Sequence, residues 1–294
     1  MSLGGNSANR SPSPFSISTT KEILKLPHSD TDHTSESIVS SPVACAVVLG
    51  ASNLTLAWPR LLSLVCQRFS TPVHVYTAHG MGRSYMLERT GFAMSRLPGI
   101  LHCGIWAALP RLDDAVTPYA LVTDVGNDLV YGCDPADVVA AAKESVQRLR
   151  KWNPGCRIVL TRPPVESLHG LGRLRFLLFR SVLFPFSRLT LEIVRQKTLE
   201  LDERLALLAE QNAVHIVRPN LEWYGLDPIH IRRRCQRRAF TKMLNPWDTQ
   251  VCAESIAPRV SLSRPTAELR WMLGTEHRTR QPSIDGGGVS VFAY

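Results

Sequence analysis

The sequence predicts an α/β domain built around a mostly five-stranded parallel sheet. Five short apolar runs, several rich in β-branched residues, are bounded by turn residues and alternate with longer helical patterns, as strands covered on both faces by helices do. The chain has 294 residues, 44% hydrophobic and 20% charged, enough to bury a large core in one domain with tails. The residues able to do chemistry fall just after the strands, where open parallel sheets bind ligands.

The elements follow in order. Residues 1–40 are rich in Ser, Thr, Pro and His, lack the apolar core a signal peptide needs, and read as a disordered leader. Strands are predicted at Val43 to Leu49, Val73 to Thr77, Tyr119 to Thr123, Arg157 to Thr161 and Ala213 to Val217. Helices are predicted at Leu54 to Phe69, with Pro59 early in it, and at Pro135 to Trp152, with Asp134 as N-cap. A third runs from Ser187 to Gln211, with Glu192, Arg195, Glu200, Glu203 and Arg204 on its wet face. These elements define a domain over 41–245. From there the periodicity fades toward Gly286-Gly287-Gly288, so 246–294 reads as a loosely ordered extension.

Composition narrows the function. Lys and Arg exceed Asp and Glu by 34 to 25, yet no basic run is interleaved with aromatics as in a nucleic-acid module, which disfavours nucleic acid as a partner. A basic surface protein that binds nucleic acid or anionic membrane is the weakest alternative. Seven cysteines, an odd number with no Cys-x-x-Cys pair, argue against a disulfide framework and a zinc site; reduced thiols in the cytoplasm are the simpler reading. His74, His79, His102 and His169 lack ligand-like spacing, so no metal is expected. The greasiest stretch, Leu174 to Phe186, is too short for a bilayer and is interrupted by Arg175 and Arg180.

Two glycine patterns are also incomplete. Gly80-Met81-Gly82 lacks the third glycine of a dinucleotide loop, because Tyr85 stands in its place, and Gly50-Ala51-Ser52-Asn53-Leu54 does not complete Gly-x-Ser-x-Gly. What remains is a serine, a histidine and a carboxylate. A serine becomes a nucleophile when a base takes its proton and a third group orients that base. Ser52 follows the first strand, and Asp227, three residues before His230, can reach that imidazole from the same turn. Taken alone, Ser52 would serve as a helix N-cap, Asn127 as a turn residue and His230 as an ordinary histidine. The convergence of four loops on one sheet edge favours chemistry.

Four separated blocks then resemble the SGNH, or GDSL, hydrolase superfamily: Gly50-Ala51-Ser52-Asn53-Leu54, Ala78-His79-Gly80-Met81-Gly82-Arg83-Ser84, Val125-Gly126-Asn127-Asp128 and Asp227-Pro228-Ile229-His230. The resemblance implies a flavodoxin-like three-layer α/β/α fold and a serine esterase needing no cofactor. It makes Ser52 the nucleophile, His230 the base oriented by Asp227, and the Ser52 and Gly82 N–H groups with the Asn127 amide the oxyanion hole. The implied substrate is a small-molecule or lipid-like ester. Two positions depart from the pattern: Ala51 stands where the family has Asp, and Val125 where it has Gly. Arg83 is a candidate contact for an anionic substrate group. The Leu- and Phe-rich segment 171–189, studded with Arg, reads as a helix packed on the sheet, or as a cover or peripheral membrane contact. Acyl transfer from the same site, and a non-catalytic binding protein that kept the pocket, are the alternatives.

Overall fold

A computed structural model describes residues 43–69, 72–177, 189–249 and 264–294. In chain order the strands are β1 Ala44–Leu49, β2 Val73–Ala78, β3 Arg89–Phe92, β4 Ser95–Pro98, β5 Tyr119–Val122, β6 Arg157–Thr161, β7 His215–Val217, β8 Leu269–Met272, β9 Thr275–Arg278, β10 Ile284–Gly286 and β11 Val289–Ala293. The longer helices are α1 Ser52–Cys66, α2 Pro135–Trp152, α3 Leu191–Gln211 and α4 Gln236–Leu244.

The five expected strands are β2, β1, β5, β6 and β7 in spatial order, all parallel. This 2-1-3-4-5 arrangement is flavodoxin-like. Alternation along β1 shows why the architecture has three layers. Cys45, Val47 and Leu49 join a core with residues of α2 and α3, while Ala46 and Val48 join a core with α1 and α4 on the other face. A strand buried on both faces needs apolar residues at every position, which is the continuous run that the sequence shows.

The sheet has seven strands, not five. β11 pairs in parallel with the outer edge of β2, and β10 pairs antiparallel with β11. A second, four-stranded antiparallel sheet has the order β3-β4-β8-β9. The expectation of a loosely ordered extension over 246–294 is therefore corrected for residues 264–294. Its glycine run is a tight turn: Gly286 pairs with Val289, and Gly287 and Gly288 between them take φ of 60° and 77°. A two-residue hairpin turn with both central residues left-handed matches the strand twist and favours glycine. β11 then alternates, with Val289, Val291 and Ala293 buried and Phe292 stacked on Tyr76 at 4.6 Å.

Two local expectations gain detail. Asp134 occupies the N-cap position of α2, but its carboxylate makes no cap hydrogen bond and instead accepts from Lys197 Nζ at 2.7 Å. Arg195 is half-exposed, and its guanidinium donates to the carbonyls of Leu168, His169 and Leu171. The end of segment 171–189 and the start of the predicted third helix fall on 178–188, outside the described residues. Among the described residues, no helix is long and apolar enough to cross a membrane, no His, Cys, Asp and Glu cluster could hold a metal ion, and the six cysteines are free thiols.

Candidate active site

β1 ends at Leu49 and the chain turns through Gly50 and Ala51 directly into α1, so Ser52 is the first residue of a helix. That places a hydroxyl and an unpaired backbone N–H together at the carboxyl edge of the sheet. The first N–H groups of a helix have no partner within it, and the Ser52 N–H has none elsewhere among the described residues. Ser52 is 8% exposed, lining a cavity rather than open solvent.

His230 reaches this serine across 178 positions of chain. Its Nε2 lies 2.9 Å from Ser52 Oγ, and its Nδ1 lies 2.6 Å from Asp227 Oδ2. An ionised carboxylate only accepts, so Nδ1 carries the proton and Nε2 is left as the acceptor facing the serine hydroxyl. The other carboxylate oxygen, Oδ1, accepts from the Ile229 and His230 amides at 3.0 Å each, which locks the turn. Burial pushes the Asp227 carboxyl up, but hydrogen bonds from the His230 ring and these amides outweigh it and hold the group below the usual carboxylate range.

Asn53 and Asp124, which the sequence reading did not select, tie these loops together. Asp124 Oδ2 accepts from the amides of Ala51 and Asn53, at 3.0 and 3.1 Å, and its Oδ1 accepts from Asn53 Nδ2 at 2.9 Å. The same Asn53 amide donates to Ile229 O at 3.0 Å, and Asn53 Oδ1 accepts from the Ile231 amide at 2.8 Å. Asn53 thus joins the serine turn to the histidine turn. Asp124 holds a left-handed backbone, φ 59°, a conformation that Asp tolerates better than most residues. Burial raises its carboxyl despite the three donors. The sequence signal available was small: a carboxylate directly after the third parallel strand.

The oxyanion candidates are held by other groups. Gly82 has φ of 64°, and an added Cβ would sit 2.9 Å from Tyr131 Oη and 3.0 Å from Gly91 O, so this position requires glycine. Tyr131 Oη donates to Gly82 O at 2.5 Å. Asn127 lines the same cavity as Ser52 and donates from Nδ2 to Arg83 O at 2.9 Å. Gly82 does not line that cavity; it connects to the site through Tyr131 and through the neighbouring Arg83 carbonyl. Asp128 accepts from the Tyr85 and Met86 amides and fixes the loop that carries Gly82. Burial pushes its carboxyl up to about 6. Tyr85 Oη donates to Leu49 O and Thr123 O, pinning that loop onto the ends of β1 and β5.

Arg83 does not face a substrate. It is fully buried, donating to Pro98 O at 2.9 Å, to His79 O and to Tyr294 O. The expectation of a substrate contact there is corrected: a guanidinium in a loop can turn inward when carbonyls converge on it.

The cavity beside Ser52 has a volume of about 100 Å3, and its apolar wall includes Val125, Leu129, Leu168, Val194 and Ile229. Val125 fills part of this wall. Segment 171–189 begins beside it: Leu171 packs with Leu168, Leu191 and Ile229, and Arg175 donates to Gly225 O and Leu226 O on the turn before Asp227.

No known family profile and no curated protein sequence matches the chain. Solved structures do match. The native aryl esterase of M. smegmatis aligns at 16% identity over 70% of this chain and 99% of its own, with a TM-score of 0.48. Est24, a carbohydrate acetylesterase from Sinorhizobium meliloti, aligns at 14% over 69% and 98%, with a TM-score of 0.48. The psychrotrophic esterase EstA from Pseudoalteromonas aligns at 11% over 69% and 97%, with a TM-score of 0.39.

Proposed function

We propose that the chain is a serine hydrolase of SGNH type that cleaves a carboxylic ester through an acyl-enzyme. The observation that carries this reading is the unbroken line from Ser52 Oγ through the His230 ring to Asp227. In the reaction, Ser52 Oγ attacks the ester carbonyl and its proton passes to His230 Nε2. Asp227 keeps the ring in the required tautomer and stabilises the imidazolium. In this reading the tetrahedral oxyanion meets the Ser52 and Gly82 N–H groups and the Asn127 amide, donors that work best when fixed before reaction. Losing one such donor costs about 3 kcal/mol. His230 returns its proton to the leaving alkoxide, and water repeats the sequence to release the acid.

The apolar cavity beside Ser52 fits the acyl part, and Leu174, Leu177 and Leu226 stand exposed in the segments next to it, where a lipid-like ester or a membrane surface would meet them. Ser52→Ala is expected to lower kcat on a short p-nitrophenyl ester by about 10^4-fold or more with an unchanged melting temperature. A fluorophosphonate probe is expected to label wild type and not the variant. An unlabelled wild type would favour the non-catalytic binding protein. Labelling without net hydrolysis, with product formed when an alcohol is added, would favour acyl transfer.

A further inference from the structure

A second and larger cavity of about 460 Å3 lies where the end of β2 meets the small sheet, and residues 264–267 line one side of it. It shares no lining residue with the Ser52 cavity. Its size falls within the roughly 300–1,000 Å3 of small-molecule sites. Met81, Phe92 and Leu97 contribute apolar wall, and Arg264 and Arg270 contribute two guanidinium groups. None of its described lining residues is Asp or Glu. Glu268, between the two arginines in sequence, lies against Gly104 instead.

The histidine of this wall adds no charge. Burial, with Arg83 and Arg264 nearby, pushes the His79 imidazole down to about 3. Its tautomer is set as well: Thr55 Oγ1 gives its proton to Ala51 O at 3.0 Å, so His79 Nδ1 donates to Thr55 Oγ1 at 2.9 Å. Arg270 donates one N–H to Thr279 Oγ1 at 3.1 Å, and Arg264 forms no ion pair among the described residues. The described lining therefore combines an apolar wall with two guanidinium groups, those of Arg264 and Arg270.

We propose that this cavity is a second ligand site, separate from Ser52, for a small amphiphilic anion whose carboxylate or phosphate headgroup pairs with Arg264 and Arg270 while its apolar body lies against Phe92 and Leu97. A planar guanidinium pairs with either headgroup through two parallel hydrogen bonds. The apolar walls supply the rest of the affinity and select against a bare ion.

The test uses the full chain carrying Ser52→Ala, so that its outcome does not depend on hydrolysis. Octanoate, octyl phosphate, octanol and inorganic phosphate are titrated by calorimetry, and the ring signals of labelled His79 are followed by NMR. One or both alkyl anions should bind and shift His79, and the better of the two identifies the headgroup. Octanol and inorganic phosphate should each bind at least about tenfold more weakly, since octanol lacks the charge and inorganic phosphate lacks the chain. Arg264→Ala/Arg270→Ala, at solvent-reaching positions, should weaken the alkyl anions by a similar factor while leaving the melting temperature unchanged; Ala267→Trp, which fills the cavity, should do so too. The proposal is overturned if neither alkyl anion binds, if octanol binds as well as octanoate, if the arginine variant keeps full affinity, or if binding leaves His79 unmoved.

Discussion

The carboxyl edge of the parallel sheet and the segment 264–294 make opposite use of the same kinds of residue. At the edge, polar side chains such as Asp124, Asn53 and Asp227 spend their hydrogen bonds on fixing one another's loops around Ser52. In the C-terminal segment, backbone pairing supplies the order: β11 hydrogen-bonds along β2, and the glycines between β10 and β11 only allow the turn. Where side chains do the ordering, a substitution changes chemistry before stability. Where backbone pairing does it, a substitution changes stability first.

Arg83 is the residue at which the two regions meet, since it follows the proposed oxyanion glycine and donates to Tyr294 O. Removing this guanidinium would leave the protein unaffected only if the Pro98, His79 and Tyr294 carbonyls needed no donor. Arg83→Met is instead expected to destabilise the protein by about 3–5 kcal/mol, because three carbonyl acceptors lose a buried donor, with little change in KM among molecules that remain folded. Denaturant melts and initial rates on one preparation would separate the two effects.

A next smaller effect belongs to the edge alone. Asp124→Asn replaces an acceptor of three donors by a group that presents N–H to one of them, which loosens the turn around Ser52. The expected result is a loss of about 10- to 100-fold in kcat with a smaller change in KM. Equal losses in kcat and in folded fraction would mean that Asp124 serves stability only.

Smaller again, and confined to the C-terminal segment, is Gly288→Val. An added Cβ meets nothing within 4 Å, so the cost is the left-handed backbone alone, φ 77°. It should destabilise by about 2 kcal/mol and leave kcat unchanged.

The smallest expected effect is on the pH dependence of stability. Asp128 has a folded-state pKa raised to about 6 from 3.8. Between those values the folded state holds a proton that the unfolded chain has released, so this group's contribution is present at low pH and fades as pH rises toward 6. Asp227, held below its ordinary range, works in the other direction and loses its contribution only in stronger acid. Melts at pH 4 and pH 6.5 should therefore show Asp128→Asn removing on the order of 1–2 kcal/mol of pH dependence, with that of Asp227 intact.

The five parallel strands were legible because each is buried on both faces and so runs apolar without interruption. Ser52, Asp227 and His230, which the structure brings into hydrogen-bond contact, stood out as candidates because they follow strands and are of complementary kinds. β8 to β11 were not legible: strands of three to five residues, most of them partly or fully exposed, carry too little pattern, and the glycines that ended the pattern turned out to be its hairpin. Arg83 was misread because its neighbours in sequence do not reveal which carbonyls surround it.

By itself the sequence determined the local periodicities, the turn chemistry and the order of the chemical groups, all of which depend on residues near one another in the chain. Only the tertiary structure decided that Asn53 and Asp124 would bridge the serine and histidine turns, that Arg83 would face inward and that the last strand would extend the central sheet. Those outcomes rest on hydrogen bonds between groups far apart in the chain, whose partners are fixed when burial leaves each polar atom few places to go.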